Sequence, residues 1–225
     1  MNDETIKNRV FPYLTYLLTL MSGSGYLTAK ALEGYFGLQI KEVTTAVFGS
    51  FPALLIIYIL YFAFFILSWI SWKLKPAFVV FSTLFALIVG SGIFSTVFYI
   101  ANLISATIVP EALAITSGVF ILACVYQWIT GKDLLGWGFW LFFFLLVVLG
   151  LTVAQLFITL TLFHIAVDIG VIILFIFIVM YDLFVTREEF EDDQWPLAVL
   201  AFFLDFINIL IRVIYLLLIL ASESQ

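Results

Sequence analysis

Four ionisable residues lie inside long apolar runs of this chain: Asp168 and Asp182 in one run, Asp205 and Arg212 in the next. His164 and Asn208 stand beside them as polar neighbours. An ionisable group in hydrocarbon costs about 2.5–3.5 kcal/mol on insertion scales, and normally faces a bundle interior or a water-filled path. Asp168 and Asp182 are 14 residues apart, about 21 Å along a helix and nearly on one face. His164 lies four residues before Asp168, a neighbour on that face. Asp205, Asn208 and Arg212 follow an i, i+3, i+7 pattern, which makes one polar stripe on an apolar helix. If the first run is helical to about Phe190, Asp182 lies roughly 12 Å below its end, and Asp205 a similar distance below Trp195. On antiparallel neighbours these two carboxyls meet at one depth. Two carboxylates that approach cannot both ionise freely, and they titrate as a pair. Such a pair is a proton-responsive latch, or an oxygen-ligand site for a hard cation such as calcium.

Plainer readings stand beside these. Asp182 can be an interfacial residue in headgroup water, and Arg212 a structural partner of either Asp205 or Asp168. His164 reads as a polar contact near the outer surface rather than a ligand, and Asp168 is undecided. Asp205, between Leu204 and Phe206 and nine residues into its run, most resists a bland explanation. The acidic run Glu188-Glu189-Phe190-Glu191-Asp192-Asp193 reads as a solvated loop, or as a concentrator of cations near a pore mouth.

The elements that must position these groups follow from composition. The chain has 225 residues, 65% hydrophobic and 11% charged, against about 45–50% and about 25% in soluble domains. Too few polar side chains exist to coat a water-soluble globule, and the mean hydropathy is +1.23. With 9 Lys+Arg against 15 Asp+Glu, a net charge of −6 leaves no basic face for nucleic acid. The single Cys124 excludes an internal disulfide framework and a cysteine metal cluster. The chain therefore reads as one all-α integral membrane domain over residues 1–225, with the lipid bilayer as its surroundings.

A bilayer core of about 30 Å needs roughly 20 apolar residues in a helix. Seven spans meet that length, at about 11–35, 52–72, 77–100, 108–130, 134–158, 160–186 and 196–221. Their runs are too long for barrel strands. Lys73-Leu74-Lys75-Pro76, Pro110-Glu111, Gly131-Lys132-Asp133 and the stretch from Arg187 to Pro196 punctuate them, whereas spans five and six are barely separated. The first span is the least regular, with Gly23, Gly25, Lys30 and Glu33. Its Lys30 and Glu33 belong at the far end, where a long side chain can snorkel. Trp69, Trp72, Trp128, Trp137 and Trp195 lie near span ends, as an aromatic belt does.

Orientation follows Lys and Arg counts. The N-terminus and the second, fourth and sixth loops hold Lys7, Arg9, Lys73, Lys75, Lys132 and Arg187, and the other side holds Lys41 with Lys30. Six against two predicts the N-terminus in the cytoplasm and the C-terminus outside. Short loops and termini suggest the plasma membrane of a prokaryote.

The run Met180-Tyr181-Asp182, followed by Ala201-Phe202-Phe203-Leu204-Asp205-Phe206-Ile207-Asn208, resembles the C-terminal signature of the Bax inhibitor-1 family. Members carry Tyr-Asp at the end of the sixth helix and Leu-Asp-x-x-Asn in the seventh. Ala112 to Phe120, then Thr130-Gly131-Lys132-Asp133-Leu134-Leu135-Gly136-Trp137-Gly138, is similar to the fourth helix and the loop after it. The stretch Phe85 to Phe94, with Gly90 and Ser95, is similar to the third helix. The likeness covers about residues 77–220. It implies seven transmembrane helices, the C-terminal one central and surrounded by the other six. It also implies a pH-sensitive calcium leak controlled by the pair matching Asp182 and Asp205, with Ca2+ and protons as partners and no cofactor. Two departures bear on gating. In family members a basic residue in the second helix can close the pore on this pair, yet Pro52 to Trp72 holds no Lys or Arg. Arg212 follows Asp205 by seven residues, where the family commonly has about ten, so Arg212 substitutes as counter-charge or the latch is absent.

The leading expectation is thus a cation leak and not an enzyme, working as a monomer with no protein partner specified by the sequence. An intramembrane aspartyl protease also uses Tyr-Asp on one helix and Asp on the next, but Phe203-Leu204-Asp205-Phe206 lacks the Gly-x-Gly-Asp of such enzymes. A membrane regulator of cell-death or stress factors is a further alternative, though no binding motif marks it. A retinal protein needs a lysine in its last span, and residues 196–221 contain none.

Overall fold

Apolar residues at this density leave helix as the way to satisfy every backbone group in hydrocarbon. The computed structural model describes residues 1–36, 51–155, 157–158 and 160–223, so Lys41 lies outside the described residues. No strand occurs among the described residues. The main helices are α1 (Phe11–Phe36), α2 (Phe51–Ile70), α3 (Lys75–Ile88), α4 (Ser95–Ile104), α5 (Ile108–Thr130), α6 (Gly138–Ala154), α7 (Thr161–Glu188) and α8 (Trp195–Glu223). A π-helical segment, Val89–Phe94, fuses α3 and α4 into one rod.

Six stretches among the described residues are long and apolar enough to cross a membrane: Ile56–Lys73, Lys75–Ile104, Ile108–Thr130, Leu135–Ala154, Thr161–Glu188 and Asp192–Ser222. The chain is thus a multi-pass, all-helical membrane protein. α1 has the length of a span but not its apolar density, because Thr15, Thr19, Ser22, Ser24, Lys30 and Glu33 interrupt it. The fifth span is shorter than the sequence suggests. α6 stops at Ala154, whose carbonyl receives the N–H groups of both Phe157 and Ile158 at 3.0 Å. Leu160 is then extended before α7 begins.

Local chemistry explains the other ends. Pro76 sits in the first turn of α3, where a missing N–H costs nothing. Gly131, at φ 55°, closes α5 in the left-handed conformation that favours glycine. Beyond it the Asp133 carboxylate accepts the Leu135 N–H at 2.9 Å and turns the chain toward α6. Between α7 and α8, Glu191 and Gln194 form a reciprocal capping box around Asp192–Gln194.

The helices form two compact units, Asp3–Ala106 with Glu191–Leu200, and Met1–Asn2 with Thr107–Phe190 and Ala201–Gln225. In the first, α1 packs on the α3–α4 rod through small residues. A Cβ on Gly90 would stand 2.2 Å from the Met21 carbonyl oxygen, and one on Gly25 would stand 3.1 Å from the Gly90 carbonyl oxygen. Backbones approach this closely only where side chains are missing. The Tyr13 hydroxyl meets Ser82 Oγ at 2.9 Å, and its ring packs against Phe78 and Trp195. In the second unit α7 packs on α5 and α6, and Phe120 of α5 meets Phe202 and Phe206 of α8 edge-on.

The Gly90 contact makes a sharp prediction. Gly90→Ala drives a methyl into backbone and should cost about 1–3 kcal/mol of stability. Gly150→Ala, where no described atom lies within 4 Å, should be neutral or stabilise by up to about 1 kcal/mol. Unfolding of both variants in mild detergent, measured against the parent, checks the contrast.

Candidate functional site

α7 carries His164, Asp168 and Asp182, and α8 carries Asp205, Asn208 and Arg212. Two separate contacts join these helices, and their reversed order along the two helices makes the helices antiparallel. Near one end, the carboxyls of Asp182 and Asp205 lie close enough to interact directly. Deeper along, Arg212 Nη1 donates to Asp168 Oδ1 at 2.8 Å.

The first contact is a carboxyl on a carboxyl. Asp205 is 4% exposed, Asp182 is half-buried, and the second oxygen of Asp205, Oδ2, has no hydrogen-bond partner among the described residues. A hydrogen bond between two carboxyls requires one proton between them. Loss of that proton leaves two like charges facing each other, a repulsion of the order of 4 kcal/mol at 4 Å and an effective dielectric near 20. The contact is therefore able to change with proton concentration. As a metal ligand set it is incomplete: no group of three or more His, Cys, Asp or Glu side chains among the described residues is arranged to hold an ion.

The second contact is a network. Asp168 is 2% exposed. Arg212 Nη1 also donates to Gln155 Oε1 at 3.2 Å, and Nη2 donates to Thr152 Oγ1 at 2.9 Å. Gln155 Nε2 donates in turn to Asp168 Oδ1 at 3.4 Å. Thr152 lies in the last turn of α6 and Gln155 directly follows its end at Ala154, so one guanidinium ties α6, α7 and α8 together. Arg212 is thus a partner of Asp168 and not of Asp205.

The side chains of His164 and Asn208 do not join either contact, although the His164 carbonyl oxygen accepts from Gln155 Nε2 at 3.4 Å. His164 Nε2 bonds the Ile158 carbonyl oxygen at 2.7 Å, and Asn208 Nδ2 donates to Leu204 O at 2.8 Å on its own helix. Sequence reasoning passed over Thr152 and Gln155, an i, i+3 polar pair in an otherwise apolar run, a signal of the kind that picked out Asp205 and Asn208.

Other motif residues converge on the same end of α7. A Cβ on Gly138 would fall 2.6 Å from the Tyr181 hydroxyl, so the glycine leaves room for the ring beside Asp182. Trp137 stacks on Phe177 at 6.1 Å with planes 10° apart. Arg187 lies 4.8 Å over the Trp128 ring.

Breaking a buried ion pair from one side costs about 3–5 kcal/mol, because the abandoned charge keeps its burial. Arg212→Leu should therefore destabilise the protein strongly, and adding Asp168→Asn should recover much of the loss. A double-mutant cycle in detergent reads this, and additive effects would reject the coupling.

A family model described as inhibitor of apoptosis-promoting Bax1 matches residues 5–225, nearly the whole chain. Comparison with curated proteins finds no match. Together with the apolar helices and the Tyr181-Asp182 and Leu204-Asp205 segments meeting in space, that coverage settles the family: the chain belongs to the Bax inhibitor-1 family of membrane proteins.

Proposed function

We propose that this protein is a pH-dependent calcium leak, in which Ca2+ is cargo and the Asp182–Asp205 contact is the gate. The observation that carries the reading is the close approach of two carboxyls, one of them the buried Asp205, between α7 and α8. One proton joins the helices at this level, and its loss sets them against each other. Anionic oxygens are the ligands a hard cation accepts, and two carboxylates suit a site of passage better than a cage of six to eight oxygens. Because Arg212 is held by Asp168 and α2 has no basic residue, the gate works through the carboxyl pair without an arginine latch. The protein acts as a transporter and not as an enzyme.

In this reading α1 is a seventh span, α8 is the central helix, and the N-terminus faces the cytoplasm of a prokaryote. Internal satisfaction of its hydroxyls supports α1 as a span. Thr15 and Thr19 donate to the carbonyls four residues back at 2.9 and 2.8 Å, and Ser24 donates to Met21 O at 3.1 Å. A hydroxyl bonded to its own helix is acceptable to lipid. Lys30 and Glu33 neutralise each other at 2.6 Å near the end of α1.

Purified protein in liposomes should pass Ca2+ at a rate that changes with pH, read with an entrapped calcium dye. Asp182→Asn with Asp205→Asn should flatten the pH response. Unaltered flux and pH response in that double variant would sink the proposal. Orientation has its own check: a cysteine at Glu4 should react with an impermeant thiol reagent only after the cells are permeabilised, and one at Ser222 without it. Labelling of both from the same side would reduce the spans to six.

A further inference from the structure

Away from the carboxyl pair, Arg9 and Lys75 face one open-sided cavity of about 510 Å³, walled by Tyr13, Tyr16 and Trp195. Arg9 belongs to the π-helical turn Ile6–Val10 before α1, and Lys75 begins α3. The two cations are close enough to repel each other. Among the described residues no carboxylate pairs with Arg9, which is exposed. Lys75 donates to the carbonyl oxygens of Trp72, at 2.9 Å, and of Asp193, and Asp193 is the acidic group that faces it. One acid for two cations leaves positive charge over.

Two like charges turned into one cavity are best satisfied by an anion that both can reach. A guanidinium matches the oxygens of a phosphate with its planar fork, while an ammonium adds a point charge. Tyrosine and tryptophan rings characteristically sit at headgroup level, and Val79 and Val80 stand 39% and 54% exposed farther along α3, where acyl chains would run. Basic pockets between helices on the lysine-rich face of a membrane protein are the usual seats of anionic headgroups. We propose that the Arg9–Lys75 cavity binds the phosphate of an anionic phospholipid. Free inorganic phosphate shares the chemistry but does not use the apolar flank.

The test is native mass spectrometry of the full chain released from detergent containing equal phosphatidylglycerol and phosphatidylcholine. The parent should retain phosphatidylglycerol in preference. Arg9→Gln, at an exposed position where folding is not at stake, should cut that preference about fivefold. Lys75→Gln should do the same, and Lys132→Gln, outside the cavity, should leave it unchanged. Equal retention of the two lipids by the parent, or full preference in Arg9→Gln, overturns the inference. A third arm adds millimolar inorganic phosphate. Displacement of the lipid by phosphate would identify the ligand as the free anion and overturn the lipid assignment, whereas undisturbed retention supports it.

Discussion

A guanidinium on an apolar helix cannot be left to hydrocarbon, and the way Arg212 is satisfied organises the second unit. Its donors reach Asp168, Gln155 and Thr152, so α6, α7 and α8 are tied at one level. That tie also constrains the carboxyl contact. From Asp168 to Asp182 is 14 residues on α7, whereas from Arg212 to Asp205 is seven on α8, or about 21 Å against about 10 Å. The two spacings differ by about 10 Å, a mismatch that the long arginine side chain helps to bridge. A shorter cation at position 212 would hold one contact at the expense of the other. The ion pair is therefore more than compensation for a misplaced charge, since it fixes how far α8 has slid along α7.

A different rule governs the first unit, where no buried ion pair is described and closeness of backbone does the work. Met21, Ser24 and Gly25 on α1 accept Gly90 from the rod at distances no side chain could share. The same logic returns in the second unit, where Gly138 makes room for the Tyr181 ring. Glycines in apolar helices here mark places of contact, and Gly150 on the exposed face of α6 shows that this is not true of every one.

Much of this was legible in the sequence. Span lengths and the breaks at Pro76 and Gly131 can be read directly, because apolar run length and turn chemistry are local properties. The four ionisable residues could be singled out for the same reason: an Asp between Leu204 and Phe206 is anomalous wherever the chain goes. Pairing was less accessible. Spacing put Asp182 and Asp205 at one depth, but nothing local distinguished Asp168 from Asp205 as the partner of Arg212. That choice depends on the reach of a side chain and on two uncharged residues, Thr152 and Gln155, whose i, i+3 spacing marks them as polar but does not say which charge they serve. The early end of α6 was hidden too, since Phe157 and Ile158 continue the apolar run while their N–H groups have already turned back to Ala154 O. Hydropathy measures what a residue can tolerate, and it is silent on whether the helix continues.

The π-helical segment Val89–Phe94 has a consequence for how this chain should be compared with others. A π turn takes up about one residue more than an α turn. The face that Ser95–Ile104 presents is therefore rotated relative to Lys75–Ile88, though neither end of the rod leaves the helix. A homologue with a regular helix here would be one residue shorter while keeping every loop the same length. Its alignment would need a single-position gap in the middle of an apolar helix, a place where gaps are ordinarily penalised most. Without that gap, every residue on one side of Gly90 would be matched to a position facing elsewhere.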